Sequence, residues 1–359
     1  MSDDPMIANA RRAVSFEREG KFFEAESLYR QLVQKQPLHP MSHYLFGNFK
    51  LLMGAYEEAW PYFQRRLEDE FYLKKGTMNF PQPFWDGSEQ PDKTLLIHVD
   101  QGIGDAILCA RYIPAAADRV RQVILAAHPR MGRFFGSVDS RIKTVEIGDS
   151  VPDFDVHVDI FSLPPIFGAT LEAIPQPPYL DAEPDIEAEW KGRLDGPEFR
   201  VGLAWQGNPE NARDKERSMK LMDLEPLLRT PGVKFYGLQV GTGAEQVKDL
   251  PSDIAFEDLA ADTMVDTAGA VANLDLVISV DSALAHLSAA MGRPTWVPSC
   301  AVPDWRWLRV SGDNPLSYEN APWYPGVRVF RKRERYDWSA PVARMSEALS
   351  EEAERTKRT

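Results

Sequence analysis

The sequence predicts two doubly wound α/β units preceded by an all-α helical segment. Three observations lead to this prediction. Residues 1–75 repeat a helical pattern, residues 93–185 alternate apolar strand-like runs with helices, and residues 200–336 restart that alternation. Such alternation favours parallel sheets that carry helices on both faces. The length of 359 residues also suits two or three domains.

The helical segment contains an internal repeat. "GKFFEAESLY" at 20–29 returns as "GAYEEAWPYF" at 54–63, an offset of 34 residues, which is the tetratricopeptide period. The pattern predicts helices at 7–18, 22–36, 40–53 and 56–69, with Pro37 and Pro40 between the pairs. Two such repeats are too few for a free-standing solenoid, so we expect them to pack against the rest of the chain. The segment is either a structural cap or a surface for a protein partner.

A connector rich in Pro, Gly and aromatic residues follows at 76–92. The first α/β unit then occupies 93–185. Its strands are predicted in "KTLLIHV", "QVILAAH", "KTVEI" and "FDVHV", and its helices in "GDAILCARYIPAAADR" and "MGRFFGSV". A polar, acidic linker at 186–199 with one exposed helix separates it from the second unit.

The second unit, at 200–336, repeats the alternation. Its predicted strands are "RVGLAWQG", "VKFYGLQV", "DLVISV" and "PTWVPS", and its predicted helices cover 219–229, 265–273 and 282–292. A C-terminal helix is expected within 337–359. Two doubly wound units place their strand ends across a shared cleft, where ligands of open α/β sheets usually bind.

Composition and charge narrow the class of protein. Hydrophobic residues make up 43% of the chain and charged residues 26%, as in a globular protein. The net charge of −13 argues against a general nucleic-acid binder, because phosphate contacts need clustered Lys and Arg. Cys109 and Cys300 are too few and too far apart for a disulfide framework or a zinc site. With no apolar leader and no membrane-length apolar run, we expect a cytoplasmic protein.

The first candidate site lies in "HVDQGIGDAILCARYIP", residues 98–114. Gly102 and Gly104 suggest a dinucleotide fingerprint, but Ile107 stands where a third small residue belongs. The next strand ends in His128 instead of the acidic residue that binds a ribose. The glycine turn therefore serves to place the residue that follows it at the mouth of the cleft.

That residue is Asp105, the candidate catalytic group. A carboxylate at the end of a strand and the start of a helix can act as a base. It can also simply cap the helix or complement its dipole. Asp100, five residues earlier, competes for any role assigned to Asp105.

The second unit offers two candidate anion sites. "WQGNPENARDKERSMK" gathers Arg213, Lys215, Arg217 and Lys220 after a strand, where cations neutralise a diphosphate leaving group. A solvated charged loop is the alternative, and Arg217 is the best single candidate. In "VISVDSALAHLSAAMGRP" a strand ends at Asp281 and a helix begins at Ser282, so first-turn amides can bind an anion. Ser282 is otherwise an N-cap, and His286, one turn on, is otherwise a core histidine.

Together these motifs resemble a known family. "QGIGDAILCARYIP", "GLAWQGNP", "DKERS" and "DLVISVDSALAHLSAAMGRPTWV", followed by "PDWRWL" and "APWYPGVRVFR", are similar to the tetratricopeptide-linked glycosyltransferases of family 9 type. These are related to ADP-heptose:lipopolysaccharide heptosyltransferases and, more distantly, to protein O-GlcNAc transferases. The resemblance covers nearly the whole chain. It implies a GT-B fold of two facing Rossmann-like domains, a nucleotide-sugar donor held mainly by the second, and neither a metal nor another cofactor.

The resemblance also implies roles for residues. Asp105 matches the proposed general base, and Arg217 stands where the family often has a Lys that contacts donor phosphate. The residues assigned to donor phosphate and nucleotide binding are Gly104, Asn208, Lys215, Arg217, Asp281, Ser282 and His286. The donor sugar and nucleotide stay open, and the acceptor is a glycan, a lipid-linked core or a protein.

Two other readings of the chain stay open at this point. One is a non-catalytic tetratricopeptide scaffold with a glycosyltransferase-like, nucleotide-binding body. The other is an epimerase on the same scaffold, which would convert a nucleotide sugar without any acceptor.

Overall fold

The structure is a computed structural model. It describes residues 5–69, 80–99, 102–147, 149–194, 196–259, 261, 263–308 and 320–357. Asp100 and residues 76–79 of the predicted connector lie outside these ranges.

Within residues 5–69 the chain forms the four predicted helices. They are α1 (Pro5–Arg18), α2 (Phe22–Lys35), α3 (Pro40–Leu52) and α4 (Tyr56–Gln64), and a 3-10 turn at Arg65–Glu68 ends the segment. Helix α3 starts at a proline, which needs no N–H partner there, and the His39 ring accepts a hydrogen bond from the Ser42 amide at 3.2 Å. The four helices are confirmed, while their assignment as tetratricopeptide repeats stays a prediction.

The first described sheet is parallel throughout, with strand order β3-β2-β1-β4. The strands are β1 (Gln90–His98), β2 (Val120–Ala127), β3 (Ile142–Glu146) and β4 (Val156–Asp159). The single helix predicted over 104–119 is wrong: it is two helices, α5 (Ile103–Ala110) and α6 (Ile113–Ala117). Pro114 has no N–H to continue a helical ladder, so a new helix starts around it. The predicted helix "MGRFFGSV" is a 3-10 helix, Pro129–Ser137.

Two helices follow the first sheet along the chain. Helix α7 (Leu163–Ile166) follows a 3-10 turn at Ile160–Ser162, and α8 (Pro184–Arg193) lies at the predicted linker. Helix α8 is mostly exposed, as predicted, but Trp190 is buried and anchors it.

The second described sheet has strand order β10-β11-β9-β8-β5-β6-β7, and only the β10–β11 pair is antiparallel. Its strands are β5 (Phe199–Ala204), β6 (Val233–Gly237), β7 (Phe256–Asp258), β8 (Leu276–Ser279), β9 (Thr295–Ser299), β10 (Asn320–Ala321) and β11 (Tyr324–Arg331). The sequence analysis did not predict β7, β10 or β11. These two sheets, parallel except for the β10–β11 pair, confirm the α/β part of the predicted fold class.

The helices of this unit are α9 (Asp214–Arg217), α10 (Glu225–Leu228), α11 (Met264–Ala272), α12 (Ala283–Ala290) and α13 (Ser339–Lys357). The helix predicted over 219–229 is wrong, because a 3-10 turn at Leu221–Leu224 comes first and α10 begins around Pro226. Helix α13 covers one face of the sheet through Val342, Met345 and Leu349. Across the described ranges, no helix is long and apolar enough to cross a membrane.

The helical segment is fastened to both α/β units, as expected. Trp60 in α4 donates a hydrogen bond to the Ala169 carbonyl at 2.6 Å, and Trp323 donates to the Tyr56 hydroxyl at 2.6 Å. The hydrophobic core runs without interruption from α3 and α4 through the first sheet to α11 and α12. The segment is therefore part of the same folded body as the two sheets.

Candidate active site

A cleft of about 870 Å³ lies at the carboxyl ends of the strands of both sheets. This is the size of a pocket for a small organic ligand. From the first unit it is lined by the turn that follows β1, and from the second unit by the turns that follow β5, β6 and β8. The predicted site residues among its lining are Gly104, Asp105, Asn208, Arg217, Asp281, Ser282 and His286.

Helices α5 and α12 approach one another closely at the floor of this cleft. A Cβ added to Gly104 in α5 would lie 2.8 Å from Cδ2 of His286 and 3.5 Å from Cα of Ala283, both in α12. The first-turn residues of both helices line the cleft. Free N–H groups and the positive ends of both helix dipoles therefore point at the same space, which favours an anion there.

The close approach predicts the effect of adding one methyl group. Gly104→Ala is expected to lower the free energy of unfolding by about 1–3 kcal/mol, the usual result of overpacking. Gly192→Ala is the matched control, because a Cβ there meets open space in helix α8 and Ala favours a helix by up to about 1 kcal/mol. Urea denaturation of both variants checks this, and equal stability of the two would contradict the packing described here.

Asp105 is held by an arginine that the sequence analysis did not name. Its carboxylate lies 2.6 Å from the Arg306 guanidinium, which also lies 2.5 Å from Asp304. Burial raises the pKa of Asp105 above the ordinary 3.8, and Arg306 offsets part of that rise. Burial would also raise the pKa of Asp304, but the charge and the N–H groups of Arg306 bring that pKa below the usual range.

The rings of Trp305 and Phe161, together called the aromatic wall, pack against Arg306 and fix its position. The guanidinium carbon lies 4.5 Å from the ring centre of Trp305 and 5.4 Å from that of Phe161. Trp305 packs edge-on against Trp60 and Phe63, at 6.3 and 6.4 Å between ring centres. Because Trp60 and Phe63 belong to α4, the helical segment supports the wall from behind.

Arg217 faces the cleft from helix α9. Its guanidinium donates a hydrogen bond to the Asp281 carbonyl at 2.9 Å and lies 3.5 Å from the Asp214 carboxylate. Gly207 allows this position, because a Cβ there would come within 2.6 Å of the guanidinium. Lys215, although predicted beside it, is exposed and lies apart from the cleft lining. Lys215 and Arg217 are two residues apart on a helix, so their side chains point in nearly opposite directions.

The start of helix α12 leaves its amides open to the cleft. Ser282 occupies the N-cap position, but its hydroxyl bonds to that of Ser279 at 2.9 Å instead of capping the first turn. The Asp281 carboxylate accepts a hydrogen bond from the indole N–H of Trp307 at 2.7 Å. Burial and the nearby Asp304 raise the pKa of Asp281. The loop thus offers backbone N–H groups to a ligand.

Gln239, which the sequence analysis did not predict as a site residue, holds the loop that follows β5. The buried Gln239 side chain accepts hydrogen bonds from the Trp205 and Gln206 amides at 3.1 and 3.0 Å. Further along, the Asn208 side chain accepts from the Glu210 amide at 3.0 Å and shapes a turn. Nothing in the sequence separates Gln239 from an ordinary polar residue at the end of a strand.

His286 lines the cleft with its ring against Gly104 and Trp307; the centres of the two rings are 4.9 Å apart. Its Nδ1 lies 3.1 Å from the Tyr324 hydroxyl. Burial, with help from the charge of Arg306, lowers the pKa of His286 to about 3. The imidazole is therefore neutral at physiological pH.

Comparison with known proteins gives both a sequence match and a fold match. Residues 228–296 match glycosyltransferase family 9 (heptosyltransferase). Protein FlbA from Caulobacter vibrioides is 27% identical over 337 residues, covering 86% of this chain and 55% of FlbA. The chain thus spans little more than half the length of that relative.

Among solved structures, E. coli ADP-heptose LPS heptosyltransferase II superposes with a TM-score of 0.50 and 14% identity, over 73% of this chain and 99% of that one. An O-GlcNAc transferase from Thermobaculum terrenum covers 98% of this chain and 88% of its own, at 12% identity and a TM-score of 0.30, too weak a likeness to bear on the fold. Residues 228–296 therefore resemble glycosyltransferase family 9, and the chain shares a GT-B-like fold with a heptosyltransferase; these findings support its prediction as a glycosyltransferase.

Proposed function

We propose that this chain is a metal-independent, inverting glycosyltransferase that moves a sugar from a nucleotide-diphosphate donor to a hydroxyl acceptor. One observation carries the proposal: the Asp105 carboxylate lines the cleft from the first unit, and Arg217 and Ser282 line the same cleft from the second. A base on one side and cationic or N–H groups on the other are what displacement of a diphosphate requires.

In the proposed reaction, Asp105 takes the proton of the acceptor hydroxyl while that oxygen attacks the anomeric carbon. The bond between the anomeric carbon and the diphosphate oxygen breaks, and its electron pair leaves with the diphosphate. Arg217 and the first-turn amides of α12 stabilise that charge, the task a metal ion performs in other transferases. Direct displacement inverts the anomeric centre.

The acceptor, the protein partner and the cellular location are also proposals. We infer a glycan, a lipid-linked core or a protein as acceptor, and the helical segment as a surface for a protein partner. A cytoplasmic location agrees with Cys109 and Cys300, both of which are free thiols.

Ligand-dependent melting tests the donor site. The purified protein is screened against UDP, GDP, ADP, CMP and dTDP and their common sugars, with and without magnesium, because a bound ligand raises the melting temperature by mass action. We expect one diphosphate to stabilise the protein equally in both conditions. Arg217→Ala should reduce the affinity by about tenfold or more, the size of a hydrogen bond to a charged group.

Arg229→Ala is the matched control, because this arginine lies in the same unit, is half-exposed and forms surface ion pairs with Glu225 and Asp253. It should leave the shift unchanged. A shift that requires magnesium would contradict metal independence. If no ligand shifted the melting temperature and no glycosyl transfer were detected, the non-catalytic scaffold would be the better interpretation.

A further inference from the structure

A buried ion pair joins the helical segment to the first α/β unit. The Arg66 guanidinium, in the 3-10 turn that ends the helical segment, pairs with the Asp159 carboxylate at the end of β4. Their side chains are 1% and 0% exposed. Asp159 pairs in register with His98, the last residue of β1. The ion pair therefore lies at the edge of the sheet where the chain leaves β1 for the candidate base.

The ion pair holds both ends of a short 3-10 turn, Ile160–Ser162, which we call the Phe161 turn. The Asp159 carboxylate accepts a hydrogen bond from the Phe161 amide at 3.2 Å and so caps the start of the turn. Arg66 pairs with that same carboxylate and donates to the Ser162 hydroxyl at 2.9 Å, at the end of the turn. The turn packs against helix α5, which carries the candidate base.

The ring of Phe161 lies between two guanidinium groups. Its centre is 6.0 Å from the guanidinium carbon of Arg66 and 5.4 Å from that of Arg306. Phe63 stacks on the same ring, with 5.7 Å between the ring centres, and also lies 4.5 Å from Arg66. Because a ring face attracts a cation, the position of Phe161 helps to set the position of Arg306 beside Asp105.

Stability alone does not explain a buried ion pair at this place. Burial removes the hydration of both charges, and apolar side chains of similar size often replace such a pair without loss of stability. The surrounding core is aromatic, with Phe63, Phe161 and Trp305 in one cluster, so an apolar pair would suit it. What an apolar pair would lack is the set of directed hydrogen bonds to the two ends of the Phe161 turn.

We propose that Arg66 and Asp159 are positioning residues that hold Arg306 against Asp105 by way of the Phe161 turn. The helical segment then contributes to the active site from behind the aromatic wall. The effect on the rate of transfer rests on the proposed function, whereas the effect on the ionisation of Asp105 does not.

Carbon-13 NMR of aspartate-labelled protein measures the ionisation of Asp105 without any substrate. The spectrum of Asp105→Asn identifies the carboxyl signal by its loss. Among the described residues, the charged or titratable groups that face Asp105 from other elements are Arg306, Asp304, Asp281 and Tyr44. All four stay in every variant below, so a change in titration reports a change in their placement.

Replacing both partners, Arg66→Met with Asp159→Leu, removes the directed hydrogen bonds together with one charge of each sign. The double variant should unfold at a urea concentration close to that of wild type. Its Asp105 should nevertheless titrate at higher pH, because Arg306 is then no longer held 2.6 Å from that carboxylate. Titration at the wild-type pH would overturn the proposal.

Arg66→Lys separates geometry from charge and tests the proposal even if the double variant fails to fold. Lysine keeps the positive charge, but its single ammonium cannot replace the planar fork that reaches Asp159 and Ser162 together. Asp105 should again titrate at higher pH, by less than in the double variant. Titration at the wild-type pH would show that charge alone suffices and would overturn the positioning role.

Arg229→Met with Asp253→Leu is the matched control, because this ion pair is exposed and lies on the second unit. It removes the same two charges and should leave the titration of Asp105 unchanged. An equal movement in this control would show a nonspecific effect and would also overturn the proposal.

Kinetics separate this proposal from the proposed function. In the double variant, kcat for transfer should fall at least about tenfold, because a misplacement of about 1 Å can cost a hundredfold. KM for the donor should stay within about twofold, because the proposed donor site lies on the second unit. An unchanged kcat would overturn the positioning role. If wild type transferred no sugar while the titration moved as expected, the proposed function would fail and the positioning role would stand.

Discussion

Asp105→Asn is expected to abolish glycosyl transfer while leaving the affinity for the nucleotide donor within about twofold. General-base catalysis contributes about 10²–10⁴-fold to a rate, so a loss of at least a hundredfold in kcat is expected. The amide of Asn can still accept a hydrogen bond from Arg306, which lies 2.6 Å from the carboxylate in the native protein. The measurement is a transfer assay beside a donor titration.

Asp118→Asn is the matched control for loss of one negative charge. Asp118 belongs to the same unit, is exposed and pairs with Arg141 at the surface. It should transfer at the wild-type rate. If Asp105→Asn lost donor affinity and rate together, the assignment of Asp105 as the base would be wrong.

Arg306→Gln is expected to move the acidic limb of the pH–rate profile to higher pH and to destabilise the fold. Burial already raises the pKa of Asp105 above 3.8, and Arg306 counteracts that rise. Without the cation the pKa rises further, so the base is protonated over a wider range as pH falls. Loss of a cation beside Asp105 and Asp304 should cost about 3 kcal/mol, the lower end of the range for a broken buried ion pair.

Asp304→Asn gives the opposite change and so controls for general damage. The charge of Asp304 raises the pKa of Asp105, and its removal should move the acidic limb to lower pH. Profiles of kcat/KM for both variants, with melting curves, check the pair. If the acidic limb moved in the same direction in both variants, Arg306 would not set the pKa of Asp105.

The sequence allowed the main elements to be predicted because their signals are local. Apolar runs such as "KTLLIHV" and the helix start at Ser282 depend on periodicity and on residue types within a few positions. Short elements were harder. Strand β7 (Phe256–Asp258) has three residues, too few for a periodic pattern, and it is defined by its pairing with β6.

Seven of the eight predicted site residues line one cleft, because the turns after parallel strands meet at the same edge. Their roles stay predictions. Arg306 and Gln239 were missed for a physical reason: each acts through contacts with residues distant in the chain. Arg306 meets Asp105 across 201 positions, and no local pattern reports such a pair. The one available signal was Arg306 between two tryptophans and two positions after Asp304, in a motif already noted for its resemblance.

The wall behind Arg306 has a consequence for how this protein can change over evolutionary time. Phe23 and Leu38 on the helical segment are 85% and 84% exposed, so replacing them does not disturb the packing of the core. Trp60 and Phe63, on the same segment, contact Trp305, which in turn contacts Arg306 beside Asp105. Substitutions at these outer positions therefore leave the core unchanged, whereas a substitution at Trp60 or Phe63 requires a compensating change in "PDWRWL". The helical segment is therefore not an exchangeable module. We expect a domain swap that replaces Trp60 and Phe63 to lower the rate of the proposed transfer.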